Sequence, residues 1–491
     1  MAKFDIDGVQ NVEVSIKLPC EKSPERQLEI MEEYTRTHRA MAGASREERE
    51  VACLEVLYPE MFRSIEPQDR VAGRIDVLPI GFGCVTSVGG VGHYCVFNKL
   101  KKLRESFSSD ADRARIDALY DYWRENDLKT KYCNEALIDD VIGRFIDCET
   151  PLIATARLSG MMLNYPLLLE NGIGGLRRKL EAKLAENPEN SFHRAGLRCL
   201  DIFVNCAEHE RQEALRLAKT ASPERRRQLM RMAEGLEAVK DRPPENFHDA
   251  MQLFWLYALL AGVINYGRLD DYLGPYLARD LETGVLSEDE AYEYIKSLWT
   301  MIENRRTTVN GRIIVGGYGR KHPKEADVFL RLALRVSKDV RYVEPQFTLR
   351  ITKDMPEDIF DMAMESLGAG ATYPTLYNDD VNVPAVARAM RVDMETAEQY
   401  VPFGCGEFVI AGQSTGTPNT CINLLKLLTI ALNEGVDPMD GIKKSGPVPM
   451  KPVSELKTFD ELYAQYKALL EYYFDLSVKA QTYSYEVMDR E

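Results

Sequence analysis

Arg312-Ile-Ile-Val-Gly-Gly317 is a short apolar run closed by two glycines, which reads as a buried strand ending in a turn. The pattern then repeats. A helical stretch covers Ala326 to Val336, Pro345 to Ile351 reads as a second strand, and Pro356 opens a helix that Gly368 ends. Thr375-Leu-Tyr377 reads as a third strand, followed by the polar Asn378-Asp379-Asp380. Short apolar strands alternating with helices of a dozen residues predict an α/β fold with the helices outside. This alternation between residues 310 and 440 predicts part of a barrel within a helix-rich chain.

Upstream, Pro243-Pro244 stops whatever precedes it, and Glu245 to Ile264 forms a helix that is apolar nearly all round. Such a helix belongs to the interior of a large domain. It runs into Gly267-Arg-Leu-Asp-Asp-Tyr-Leu-Gly-Pro-Tyr276, after which Ser287-Glu-Asp-Glu290 forms a capping box for a helix over Ala291 to Asn304. Asn11 to Leu18 alternates and reads as a strand or extended arm, while Ser23-Pro24 and Ser45 with Glu48 open helices. The glycine-rich stretch from Pro79 to His93 fits neither the Walker nor the dinucleotide spacing and reads as turns. Residues from roughly 100 to 240 are predicted mostly helical, with Arg177-Arg178-Lys179 and Arg225-Arg226-Arg227 as solvated faces. Beyond the capping box Thr458-Phe-Asp-Glu461 the chain is helical almost to its end.

The 491 residues, 45% hydrophobic and 28% charged, describe a globular protein able to bury a large core. A net charge of −15 disfavours nucleic-acid and anionic-membrane partners, which need a basic surface. The N-terminus has no charged-then-apolar signal pattern, and the apolar run Leu253 to Ile264 falls short of the ~20 residues that span a bilayer. A cytoplasmic location is expected. The ten cysteines contain no Cys-x-x-Cys pair and the six histidines no metal spacing, so reduced thiols and no metal site are expected.

Downstream of the alternating region lies Val401-Pro-Phe-Gly-Cys-Gly-Glu-Phe-Val-Ile410. Gly404 and Gly406 flank Cys405 and let the backbone approach a neighbouring surface closely. Apolar residues on both sides predict a buried loop. If the segment is extended, Cys405 and Glu407 point a thiol and a carboxylate into one space. A cysteine there also reads as a small buried hydrophobe, and Glu407 as an ordinary paired or exposed acid.

Gly404-Cys-Gly-Glu407, followed by Ser414-Thr-Gly-Thr-Pro-Asn419 and the apolar helix Cys421-Ile-Asn-Leu-Leu-Lys-Leu-Leu-Thr-Ile-Ala-Leu432, resembles the glycyl radical enzymes, the pyruvate formate-lyase superfamily. Three further stretches are similar to that family, in its order: Pro243 to Trp255, Gly267 to Tyr276, and Gly368-x-Gly-x-x-x-Pro374 with Tyr377-Asn-Asp379. The resemblance implies a ten-stranded α/β barrel around a central cysteine finger loop, with residues 1–491 forming its N-terminal and central part. It implies that Cys405 becomes a thiyl radical, which abstracts hydrogen from a substrate carbon that ionic chemistry does not activate. Glu407 would act as base on a neighbouring substrate hydroxyl, and burial would raise its pKa toward neutrality. Asn419 and Arg268 are candidate substrate-binding residues, although Arg268 with Asp270 also reads as a structural ion pair. No cofactor is bound directly: the radical is protein-based, on a glycine, and is installed by a radical S-adenosylmethionine activating enzyme. A small-molecule substrate and a homodimer are implied.

Three departures shape this expectation. Formate acetyltransferases carry two adjacent cysteines, whereas Cys405 follows Gly404, so a dehydratase, C–X lyase or decarboxylase is expected instead. Many eliminating members carry an aspartate where this chain has Asn419. The family's Arg-Val-x-Gly-aromatic radical loop is echoed only by Arg70-Val-Ala-Gly73-Arg74, which reads as a turn. The glycyl radical domain is therefore expected outside this chain, in a longer protein or as a separate polypeptide. Two other classes stay open: a non-catalytic barrel-type binding or scaffold protein, and an enzyme using Cys405 as a thiolate, which needs a nearby base.

Overall fold

The computed structural model describes residues 20–85, 90–127, 153–158, 162–263, 265–305, 311–403, 406–414, 418–439 and 441–490. The arm expected at Asn11 to Leu18 lies outside them. In chain order the strands are β1 (Ile80–Val85), β2 (Gly90–Cys95), β3 (Ile153–Leu158), β4 (Asn265–Arg268), β5 (Arg312–Gly316), β6 (Gln346–Ile351), β7 (Thr375–Asn378), β8 (Tyr400–Phe403), β9 (Glu407–Ile410) and β10 (Pro418–Ile422). The described residues form two compact units, each assembled from segments distant in sequence. One spans Leu18–Val85 and Ser159–Gly416, and the other includes Thr86–Leu158 and Thr417–Glu491.

The larger unit is built on a parallel sheet with strand order β4-β5-β6-β7. Parallel neighbours require crossover connections, and helices at Leu269–Glu282, Glu288–Arg305, Pro323–Val340 and Glu357–Gly368 provide them. All five residues of β5 are buried, as expected of a strand covered on both faces. Its alternation sorts the two faces. Ile313 and Val315, with Phe347 and Leu349 of β6, join the main core among the helices, whereas Ile314 packs instead with Val401, Phe403 and Val409. The face carrying Ile314 also holds Arg312, Gln346, Thr348 and Arg350, and the Arg312 guanidinium donates to Thr348 Oγ1 at 2.7 Å and Gln346 Oε1 at 2.8 Å. The sheet thus has an apolar outer face under helices and a partly polar inner face.

The helix expected over Glu245 to Ile264 spans Phe247–Leu260, with twelve residues buried. Asn246 caps it, its side chain accepting from the Asp249 N–H at 3.0 Å. Two polar side chains on this buried helix tie down a distant loop. Gln252 accepts from the Ala72 N–H and donates to the Ala72 carbonyl, and Trp255 Nε1 donates to the Gly73 carbonyl at 2.8 Å. Gly73 adopts φ +124°, and a Cβ there would lie 3.1 Å from Trp255 Nε1, so Arg70 to Arg74 is a loop fitted to the core helix.

Helices cover Phe97–Glu105, Asp110–Asn126, Tyr165–Glu186, Ser191–Ala218 and Pro223–Val239, with β3 interrupting the predicted run. The Arg225-Arg226-Arg227 cluster departs from a purely solvated face. Arg225 donates to the carbonyls of Asp69 and Glu66 at 2.7 and 2.8 Å, and Arg226 to those of Ala218 and Lys219. Guanidinium forks satisfy carbonyls that turns leave open, a use that charge counting does not register.

In the smaller unit β10 pairs antiparallel with β3, with an irregularity between Asn419 and Cys421. The predicted helix at Cys421 to Leu432 is shorter, Leu424–Leu432, because the Asn423 side chain accepts from the Lys426 N–H and starts it there. It packs on the Phe459–Arg490 helix through Leu427, Ile430, Leu469, Tyr473 and Leu476. Asp437 is buried between the ammonium groups of Lys426 at 2.8 Å and Lys444 at 2.6 Å. Among the described residues no helix is long and apolar enough to cross a membrane, and no cluster of His, Cys, Asp or Glu could hold a metal ion.

Candidate active site

The expected finger is an antiparallel hairpin. Tyr400 pairs with Ile410, Val401 with Val409, Pro402 with Phe408, and Phe403 with Glu407. Gly404 and Cys405 lie outside the described residues, in the link from Phe403 to Gly406. The Gly406 N–H donates to the Phe403 carbonyl at 2.9 Å. Strand alternation gives the hairpin two faces. Val401, Phe403 and Val409 pack on Ile314 of the inner sheet face and on Met162, while the Phe408 ring lies tilted against Tyr400 (centroids 4.8 Å apart) and edge-on to Tyr377 (5.8 Å).

The base of the hairpin is fixed by one buried ion pair. Arg350, near the C-terminal end of β6, donates to both Asp379 carboxylate oxygens at 2.9 and 2.7 Å. Its remaining N–H groups reach the carbonyls of Tyr400 at 3.0 Å and Glu398 at 2.9 Å, and the guanidinium lies 4.0 Å from the Tyr400 ring centroid. The Tyr400 hydroxyl donates to Asp379 Oδ1 at 2.6 Å; burial, partly offset by Arg350, pushes that phenol well above its ordinary pKa. The Tyr318 N–H completes the carboxylate at 2.8 Å.

Arg268, at the end of β4, is buried and donates to the carbonyls of Gly316 (3.0 Å), Tyr318 (2.7 Å) and Glu398 (3.3 Å). Burial, with the like charge of Arg350 beside it, lowers its pKa to about 10. The pair read into Arg268 and Asp270 does not form. Asp270 accepts from the Gly316 N–H at 2.7 Å and meets Arg320 at 3.5 Å, and burial raises its pKa to about 6. Arg268 ends β4 and Asp270 lies in the first turn of the helix that follows, and both bond the backbone of Gly316 at the end of β5. This is bracing geometry at the C-terminal ends of parallel strands, the end where open α/β sheets receive ligands.

Glu407 departs from the buried carboxylate expected: its side chain is exposed. It is the cross-strand partner of Phe403 and shares its face with Val409, at the open end of the hairpin. Asn419 belongs to the smaller unit, on β10 opposite Arg157. The larger unit therefore holds Arg268 at the hairpin base and Glu407 at its tip. Sequence reasoning missed Arg350, Asp379 and Tyr400 as the brace. One signal was present: Gln346, Thr348 and Arg350 alternate with Phe347 and Leu349, marking a second, polar-lined face.

A family model described as pyruvate formate lyase-like matches residues 7–491. The chain is 22% identical over 406 residues to trans-4-hydroxy-L-proline dehydratase of Clostridioides difficile, covering 76% of this chain and 51% of that protein. It is 25% identical over 402 residues to (2S)-3-sulfopropanediol dehydratase of Klebsiella oxytoca, covering 75% of this chain and 48% of that one. Among solved structures, a glycyl radical enzyme from Archaeoglobus fulgidus matches with a TM-score of 0.71 at 20% identity, covering 94% of this chain and 65% of that chain. The chain spans about half the length of the curated relatives it matches.

Proposed function

The chain belongs to the pyruvate formate lyase-like family, and from that premise we propose that it is the catalytic-cysteine portion of a glycyl radical lyase acting on a small metabolite. One observation carries the reading. The Gly404-Cys-Gly-Glu407 motif falls at the turn of a hairpin that lies along the inner face of a parallel sheet. Family membership implies a protein-based radical without a small-molecule cofactor; its installation by a radical S-adenosylmethionine enzyme, and a homodimeric, cytoplasmic enzyme, are parts of the same proposal.

Cys405 gives its S–H hydrogen atom to the glycyl radical and becomes a thiyl. The thiyl takes a hydrogen atom from a substrate carbon that carries a hydroxyl, and Glu407 takes the hydroxyl proton. The resulting radical anion expels a leaving group, with its electron pair, from the neighbouring carbon. The product radical then recovers a hydrogen atom from Cys405, the Cys405 thiyl retakes one from the glycine, and Glu407 gives its proton to the expelled leaving group. Glu407 is exposed among the described residues, so exclusion of water from this step falls to whatever covers the hairpin tip in the working enzyme.

The test is turnover of (2S)-3-sulfopropanediol, a vicinal diol named for one relative and so able to undergo this step, under anaerobic conditions. The assay contains the chain together with the polypeptide segment that carries the radical glycine, a radical S-adenosylmethionine activating enzyme, S-adenosylmethionine and a reductant. Elimination only after activation supports the reading. Elimination by unactivated protein in air contradicts it.

A further inference from the structure

Tyr377 is the register partner of Arg350, so both side chains leave the sheet on its inner face. Its ring packs against Phe408, and its hydroxyl ends over Gly406, 2.9 Å from where a Cβ on that residue would lie. Gly406 adopts φ +122°, so the turn both needs a glycine for its backbone and uses the missing side chain to admit this hydroxyl.

Two other tyrosines at the same end of the sheet spend their hydroxyls on the protein. Tyr318 donates to Asp380 at 2.8 Å and Tyr400 to Asp379 at 2.6 Å. The Tyr377 side chain is half-buried, and its hydroxyl has no hydrogen-bond partner among the described residues. A phenol held by its ring, with its polar tip open, is a rigid donor at low entropic cost. A ligand oxygen can accept from it.

We propose that Tyr377 contacts the substrate, its hydroxyl donating to an oxygen of a small hydroxylated or acidic molecule at the Gly406–Glu407 end of the hairpin. This rests on the lyase reading above and names a residue that orients the substrate. Tyr377→Phe keeps the ring against Phe408 and deletes only the donor, so packing and binding separate.

The experiment is isothermal titration of the full 491-residue chain with trans-4-hydroxy-L-proline and with (2S)-3-sulfopropanediol, in wild type and Tyr377→Phe. The expected result is binding of at least one probe to wild type, weakened about ten-fold in Tyr377→Phe, with equal thermal unfolding midpoints. Equal affinity in wild type and Tyr377→Phe overturns the proposal, and so does failure of both probes to bind wild type. A ten-fold loss in Tyr377→Phe supports the site even where the activated Cys405→Ser enzyme turns over normally, an outcome that removes the radical reading alone.

Discussion

Arg350 and Asp379 form a two-point ion pair, at 2.9 and 2.7 Å, with neither side chain exposed to solvent. They come from the end of one strand and the start of the helix after the next, and they hold the first residue of the hairpin between them. Charges this deep are stabilising only when every partner is in place, so each partner is a point of failure.

Asp379→Ala leaves the Arg350 guanidinium buried with no counter-charge. The expected loss is about 3–5 kcal/mol in urea unfolding. Hydrogen exchange should localise the damage, with the amides of Val401 and Val409 losing protection first. A variant as stable as wild type would show that the pair does not hold the hairpin.

Tyr400→Phe keeps the ring under Arg350 and removes the hydroxyl that donates to Asp379. A hydrogen bond to a charged group contributes about 1.5–3 kcal/mol, and a loss in that range is expected from denaturant titration. No measurable change would mean that Asp379 is satisfied without it.

Gly406→Ala forces a Cβ toward the Tyr377 hydroxyl at a positive φ. Strain of this kind costs about 1–3 kcal/mol. Combining it with Tyr377→Phe should recover part of that cost, because one of the two clashing groups is gone. Strict additivity in the double-mutant cycle would contradict the contact.

The pH dependence of stability has a defined sign at Glu210. Burial, opposed by the His209 contact, raises this carboxyl to about 7 from the ordinary 4.5. The folded state then holds the proton more tightly than the unfolded one, so stability falls as pH rises from about 4.5 to 7. His209 is raised by the same contact and moves stability in the same direction. Glu210→Gln should flatten the profile, gaining up to about 3 kcal/mol over wild type at pH 8 relative to pH 5. Parallel urea midpoints for the two proteins between pH 5 and 8 would contradict this.

Much of the frame was legible because its signals are local. The Phe247–Leu260 helix is apolar on every side, β5 ends in two glycines, and Ser45, Ser287 and Thr458 each precede a helix with an acid three residues on. The family resemblance located the hairpin through Gly404-Cys-Gly-Glu407. What escaped notice depends on distance in the fold. Arg350 and Asp379 lie 29 residues apart, and nothing at either position announces the other. Arg225 reads as one of three solvated arginines until Asp69 and Glu66 are placed beside it. Glu407 is exposed although its cross-strand partner Phe403 is buried, a difference that strand alternation alone does not define.

The central claim is that Cys405 carries the unpaired electron to the substrate. Its most direct test is the electron paramagnetic resonance spectrum of the activated complete enzyme, with the segment that carries the radical glycine present, recorded beside turnover for wild type and Cys405→Ala. The account predicts an undiminished glycyl radical signal in Cys405→Ala together with complete loss of turnover. Turnover at the wild-type rate in that variant would contradict it.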